Sequence, residues 1–417
     1  MNRPTRILIL ALSALVLLYA GLGFALARNG EENAYRSLGV FSEVLQHIQQ
    51  DYVEEPNMRQ VARGAMHGFI EYLDPQSGYL SAREYEDYKA RMNAHPKGDI
   101  GVVLSKRFGY LLVLTTLPDS PAQKAGLSTG DILETIAGFS TREISIRQAE
   151  LLLEGEPGSV VKLTEVRHGG TESHDLEVTR VALGTPRLVT DKLESDIAYM
   201  RVPAFTAGRA AEIRQKLVDF SNQGIHKLVL DLRDCASGNM SEGIATANLF
   251  LNSGTITTLS GQTVPAKEFK ADPQKAVWTG PVTVLISPHT AGAAEVLAAA
   301  LSQDRAVPTI GQRTFGSASE QKDIPLEDGG ALILTTALYR DPSGKSINET
   351  GVKASVEVAP ADEDSSADLQ EEGAGQAPPG HPSLGGAPRP SNDPVLKKAL
   401  DILHGQGQPA AAAKAAA

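Results

Sequence analysis

A chain of 417 residues with a formal net charge of −11 is long enough for two or three domains and too acidic for nonspecific nucleic-acid binding or a polybasic membrane patch. Much of the excess is local, at Asp362, Glu363, Asp364, Asp368, Glu371 and Glu372. A single cysteine, Cys235, excludes an intrachain disulfide and any thiolate cluster, and fits a cytoplasmic chain as well as an exported one.

The N-terminus discriminates better. Ile7 to Ala27 carries no charge and, as a helix, would span about 30 Å, the thickness of a bilayer core. Arg3 and Arg6 precede it and Glu31 and Glu32 follow, which places the bulk of the chain outside the cytoplasm, at a cell envelope. A permanent single-pass anchor is the expectation. A cleaved export signal ending at Ala25-Leu26-Ala27 is its rival.

Ala34 to Met92 reads as helical. Leu38, Phe41, Val44, Leu45, Ile48 and Tyr52 make one spaced apolar stripe, and Val61, Ala65, Phe69, Ile70 and Leu73 a second. Leu73 to Leu80, L-D-P-Q-S-G-Y-L, is rich in helix breakers and predicts the turn of an αα-hairpin without chemistry. From Lys97 to Leu183 the texture changes to short strands and glycine turns. An apolar run at Tyr110 to Leu114 precedes S-P-A-Q-K-A-G-L-S-T-G-D-I-L at Ser120 to Leu133; a helix over Ser145 to Leu153 and a strand over Val160 to Val166 follow.

Beyond this, Ile197 to Phe205 reads as a strand, Ala210 to Ser221 as a helix, Lys227 to Arg233 as a buried strand and Met240 to Leu251 as a helix. Val282 to Ile286 is a buried strand, Thr290 to Ala294 a tight turn, and Ala293 to Gln303 a helix for which Thr290 or Ser287 is available as cap. Val307 to Ile310 and Gly329 to Tyr339 read as strands. Pro360 to Asn392 is acidic, then rich in Pro and Gly, and predicts a disordered linker; Asp393 to Leu403 suits a short amphipathic helix.

Residues 34 to 358 resemble the carboxyl-terminal processing (tail-specific) serine peptidases. The resemblance rests on L-D-P-Q-S-G-Y-L, on D-L-R at Asp231 to Arg233, on Thr290 to Glu295, on Thr314 to Gln321, and on R-D-P-S-G-K-S-I-N-E-T-G-V at Arg340 to Val352. It implies a mixed α+β fold: a signal anchor or signal peptide (1–30), an N-terminal helical region (31–95), a PDZ domain built as a small β-sandwich or barrel with helices (96–183), an α/β peptidase-like core (184–359) and a tail (360–417) with a short helix at 393–403. The family uses a Ser-Lys dyad, with S-A-S-A-S-E carrying the nucleophile and T-F-G-K-G-x-x-Q the base. Laid on this chain, the nucleophile position is Gly292 and the base position Ser317, 25 positions apart (317 minus 292) as the pattern requires; the supporting glutamine is Gln321. The family's D-L-R-N-N-P-G-G, which helps build the oxyanion site, becomes Asp231-Leu232-Arg233-Asp234-Cys235-Ala236-Ser237-Gly238, where only Gly238 matches beyond D-L-R. Gln76 stands where the family has histidine.

Serine needs a base to become nucleophilic, and glycine can form no acyl-enzyme. Loss of such a unit costs on the order of a million-fold in rate. The expectation is a pseudopeptidase that still binds protein C-terminal tails by β-augmentation, with the terminal carboxylate on the loop Ile100-Gly101-Val102 and Ala149, Leu152 and Leu153 as pocket wall. Its partners would be protein tails and an active relative of the family, with the membrane reached through the N-terminal segment and no nucleic acid, metal or cofactor. The alternative is an active serine-type peptidase with a relocated nucleophile, drawing on Ser317, Ser319 or a His289–Thr290 pair; Lys322, next along the strand from Gln321, should face away. His168 and His174 lack metal-ligand spacing.

Overall fold

A computed structural model describes residues 37–94, 97–107, 109–359 and 392–405. The predicted membrane segment and residues 360–391 of the predicted linker lie outside these residues. Among the described residues no helix is long and apolar enough to cross a membrane. The chain divides into two compact units between Gly68 and Phe69. The first holds the helix of residues 37–51 and most of Met58–Glu71, a helix with no buried residue.

The second unit is built around a six-stranded sheet in the order Val189–Lys192, Ile197–Arg201, Lys227–Asp231, Val282–Ile286, Thr309–Gly311 and Val356–Glu357. All neighbours are parallel except the first pair. A strand covered on both faces needs apolar side chains at both parities, which is why these segments read as unbroken hydrophobic runs. Ala198, Met200, Leu228, Leu230, Val284 and Ile286 face one way, into a core shared with Ile213 and Leu217 of the Arg209–Asn222 helix and Val296 and Leu297 of the Ala293–Asp304 helix. Tyr199, Val229, Leu285 and Ile310 face the other way, against Leu396, Ala399 and Leu400 of the Pro394–Leu403 helix. That helix begins on Asp393, whose side chain accepts from Leu396 N–H at 2.9 Å, with Pro394 in its first turn. The short helix expected at 393–403 is present, and its apolar face packs on this side of the sheet.

Residues 98–182 form a second core. A six-stranded antiparallel sheet joins Val102–Arg107, Tyr110–Thr116, Ile132–Ile136, Val160–Val166 and Ser173–Thr179, with Phe139–Ser140 beside Ile132–Ile136. The Ile146–Leu153 helix closes this core, and a capping box between Ser145 and Gln148 sets its start.

The segment 73–80 departs from the predicted αα-hairpin. Gly78–Leu80 is a strand, paired antiparallel with Ala331–Ile333 at the edge of a five-stranded sheet that also holds Ser319–Pro325, Thr255–Ser260 and Lys267–Lys270. Asp74 accounts for the turn before it: its carboxylate accepts the N–H groups of Gln76 and Ser77, both at 2.8 Å, and the Ser77 hydroxyl at 2.7 Å. A breaker-rich octapeptide is as compatible with a strand entry as with a helical hairpin, and tertiary pairing decided.

Candidate active site

Two chain crossings meet at the ends of the parallel strands. Val282–Ile286 is buried throughout and gives way to a turn, Ser287 to Gly292, before the Ala293–Asp304 helix. Neither predicted cap serves this helix. Thr290 is fully buried, accepts from Ser287 N–H at 3.0 Å and donates to Leu232 O at 2.8 Å, which ties the turn to the neighbouring strand end. The cap position is Gly292, with φ 61° and ψ −120°. Only glycine enters that region without strain, and strand–turn–helix nucleophile sites use a comparably strained backbone. A Cβ at 292 would meet nothing nearer than Ser317 O at 3.6 Å and Met240 Cε at 3.8 Å.

Glu295, one helical turn on, had no assigned role and is the hub of the site. Its side chain is fully buried and accepts four hydrogen bonds: Gly292 N–H at 3.0 Å, Gly316 N–H at 2.7 Å, Ser317 N–H at 2.8 Å and Thr314 Oγ1–H at 2.5 Å. Burial pushes its carboxyl up to about 6, against the downward pull of these donors. One buried carboxylate thus fastens the turn at 292 to the strand entry at 314–317. The sequence signal for it was an acidic residue three places after a helix cap.

Ser317 does not stand alone. Its hydroxyl accepts from Gln76 Nε2 at 2.5 Å, across 241 positions of sequence. Gln321 Nε2 donates to Gln76 Oε1 at 3.0 Å, to Ser319 Oγ at 2.9 Å and to Thr335 Oγ1 at 3.3 Å. Gln76, which the hairpin reading left without chemistry, is therefore the residue that fills this corner. Ser319 and Gln321 share a face, as alternation on a strand requires, although a bulge falls between Glu320 and Gln321. Lys322 is exposed. The cluster holds two amides and three hydroxyls, and the Thr335 hydroxyl also donates to Asp74 Oδ1 at 3.1 Å.

The turn after Lys227–Asp231 lies beside the Ser287 to Gly292 turn. Gly238 has φ 122°, and a Cβ there would lie 2.3 Å from Phe205 O, so a close backbone crossing fixes glycine at this position. Asp234, at φ 59°, binds Arg201 at 2.8 Å, and its Oδ1 lies 3.2 Å from His289 Nδ1. Burial raises its carboxyl, but His289, Arg201 and Arg233 outweigh that and hold it at about 2. His289 therefore pairs with Asp234, not with Thr290 as the alternative supposed. Asp231 is fully buried between Tyr199, 2.7 Å away, and the guanidinium of Arg233, which also reaches Asp393 at 2.8 Å. D-L-R is thus an ion-paired strut between the sheet and the last helix.

In the 98–182 module, Ile100, Ala149, Leu152 and Leu153 all lie in the module's own core, and Val102 packs against it half-buried. Gly101 has φ 79°, and its N–H donates to Asp99 Oδ1 at 2.5 Å. The backbone N–H of His168 binds Asp131 Oδ1 at 2.9 Å.

A family model for peptidase family S41 matches residues 196–358. The carboxy-terminal-processing protease of Bartonella bacilliformis is 30% identical over 339 residues, 80% of this chain and 78% of the relative. The chain belongs to peptidase family S41. The carboxy-terminal processing protease of Bacillus subtilis is 28% identical over 348 residues, covering 83% of this chain and 74% of its own. The solved structure of the photosystem II D1 C-terminal processing protease superposes with a TM-score of 0.63 at 24% identity, covering 77% of this chain and 92% of that one, so the mixed α/β fold is that of an S41 protease.

Proposed function

We propose that this S41 member is an exported, membrane-associated pseudopeptidase that holds polypeptide without cleaving it. Export and anchoring rest on the uncharged run Ile7 to Ala27 and its flanking charges. Polypeptide binding rests on the PDZ-like sequence pattern of the 98–182 module and on the edge strand Val102–Arg107 beside the Ile146–Leu153 helix. Such a protein would present tails to an active S41 relative or restrain one by occupying an assembly.

The observation that carries the loss of catalysis is the pair of groups facing each other across the site. On one side is Gly292, in a backbone conformation suited to a nucleophile but with no side chain; on the other is Ser317, its hydroxyl bonded to the Gln76 amide. Neither amide nor hydroxyl accepts a proton at neutral pH, so no base is supplied. The competing reading, a relocated active site, draws on one feature: the Asp234–His289 pair resembles the acid–imidazole half of a triad. Among the described residues no serine side chain bonds the His289 imidazole, and Ser287 Oγ accepts the backbone N–H groups of Asp234 and His289.

The test is turnover of unstructured peptides by the full chain in detergent, with a serine-acylating probe as control. The proposal expects peptide capture and no probe-sensitive cleavage. Cleavage abolished by His289→Ala, Ser317→Ala or Ser319→Ala would overturn it in favour of the enzyme.

A further inference from the structure

The loop assigned to a peptide's terminal carboxylate already holds a carboxylate, and it is the chain's own. Gly101 N–H donates to Asp99 Oδ1 at 2.5 Å, and the Ile100 amide faces the same group. The loop is pinned in this arrangement. Ile100 O accepts from Ala122 N–H and Gly101 O from Leu117 N–H, both at 2.8 Å. Ile100 is fully buried, and a Cβ at Gly101 would lie 2.4 Å from Ser120 Cβ. A loop fastened on both sides by backbone bonds has little freedom to turn its amides toward a second anion.

The surroundings also disfavour another negative charge. Glu150 on the Ile146–Leu153 helix and Glu154 just after it are both raised by burial, and Asp99 raises each further. Two cations stand near. Arg147 pairs with Glu150 at 3.0 Å. Arg180 acts on Asp99 through its charge, and it donates to the carbonyls of Leu152 and Leu153 and to the Ser159 hydroxyl, so it also closes the end of that helix. An incoming carboxylate therefore meets an occupied amide and three acidic side chains, Asp99, Glu150 and Glu154.

We propose that Asp99 determines the specificity of this module: its carboxylate occupies the Gly101 amide that would hold a terminal carboxylate, so the module binds extended segments whether or not they end in a free carboxylate. This rests on the peptide-binding reading above and refines its ligand class. A single internal acid thereby converts an end-binding groove into one indifferent to chain ends.

The experiment uses the full chain in detergent and an unstructured fluorescent peptide ending in Leu-Ala-Ala, as free acid and as amide, followed by anisotropy at neutral pH. Wild type should bind the two forms within about threefold of each other, and Asp99→Ala should tighten the free acid about tenfold while leaving the amide unchanged. Asp99→Asn keeps an acceptor for Gly101 and removes the charge, so it should fall between them, and it serves if the alanine variant misfolds. The Gly101 amide proton gives a readout that needs no peptide: it should move on Asp99→Asn substitution. A wild type that prefers the free acid tenfold, or an Asp99→Ala variant that shows no gain for it, overturns this proposal alone. Capture of neither peptide by any variant overturns the peptide-binding reading and this proposal with it.

Discussion

At Gly292 the backbone keeps a strained strand-to-helix turn and leaves room for a side chain, since a Cβ there would sit in ordinary contact at 3.6 and 3.8 Å. At Ser317, across the site, side chains from two other segments have closed in. Gln76 bonds the hydroxyl, and Gln321 bonds Gln76, Ser319 and Thr335. The first position differs from a nucleophile site by one side chain. The second is filled by a hydrogen-bonded cluster, and a lysine there would have to displace an amide already in place. On the proposed reading, the contrast means that gaining activity is a matter of clearing the position of Ser317 more than of adding a side chain at Gly292. Glu295 is common to both, because its carboxylate bonds the amides of Gly292 and Ser317 alike.

The largest effect should come from cutting that shared link. Glu295→Ala leaves four buried or half-buried donors without an acceptor, and each unmade bond costs about 1–3 kcal/mol. Urea unfolding should show a loss of about 3–5 kcal/mol. A loss below about 1 kcal/mol would mean that the two halves are held by something else. Next comes restoration. Gly292→Ser with Ser317→Lys should give little cleavage of an unstructured peptide, because Gln76 still occupies the lysine's place. Adding Gln76→Ala should raise turnover about a hundredfold over the double variant, equivalent to about 2.7 kcal/mol. Equal activity in the double and triple variants would erase the distinction between the two positions.

A smaller effect concerns pH. The Glu295 carboxyl is raised from 4.5 to about 6 in the folded chain. A raised acid favours the folded state when protonated, so its contribution is complete below about 4.5 and lost as pH rises through about 6. Its size is on the order of 2 kcal/mol. Unfolding free energies of wild type and Glu295→Gln, compared from pH 4 to 7, should diverge across that window, and parallel curves would contradict it. The smallest effect is expected at Gln321, an exposed residue whose bonds compete with water. Gln321→Ala should cost under about 1 kcal/mol in the same assay. A larger loss would place it among the supports of the turn at 292 and blur the contrast between the sides.

Much of this was legible in the sequence where physics is local. Val282–Ile286 announced a strand covered on both faces, and the 25 positions from Gly292 to Ser317 kept the two crossings in register. Ser145 to Leu153 read as a helix, and the helix runs over Ile146–Leu153 from a Ser145 cap. What could not be read was set by distant contacts. Nothing in L-D-P-Q-S-G-Y-L says that Gln76 will bond a serine 241 positions away, or that Gly78–Leu80 will pair with Ala331–Ile333. Thr290 looked like a cap because threonine often is one, but the Leu232 carbonyl took its hydroxyl. Asp99 drew no notice because a single acid before Ile-Gly carries no pattern; only its position over the Gly101 amide gives it meaning.

The Pro394–Leu403 helix has a practical implication for anyone shortening this chain. It supplies the cover for Tyr199, Val229, Leu285 and Ile310, and its Asp393 pairs with the Arg233 guanidinium at 2.8 Å. A version trimmed at residue 359 to remove the acidic, Pro- and Gly-rich stretch would bare one face of the central sheet, with each uncovered large aliphatic side chain forfeiting roughly 1.5–3 kcal/mol. Such a fragment should be insoluble for reasons unrelated to catalysis. Excising 361–391 while retaining the helix on a flexible joint is the sounder design.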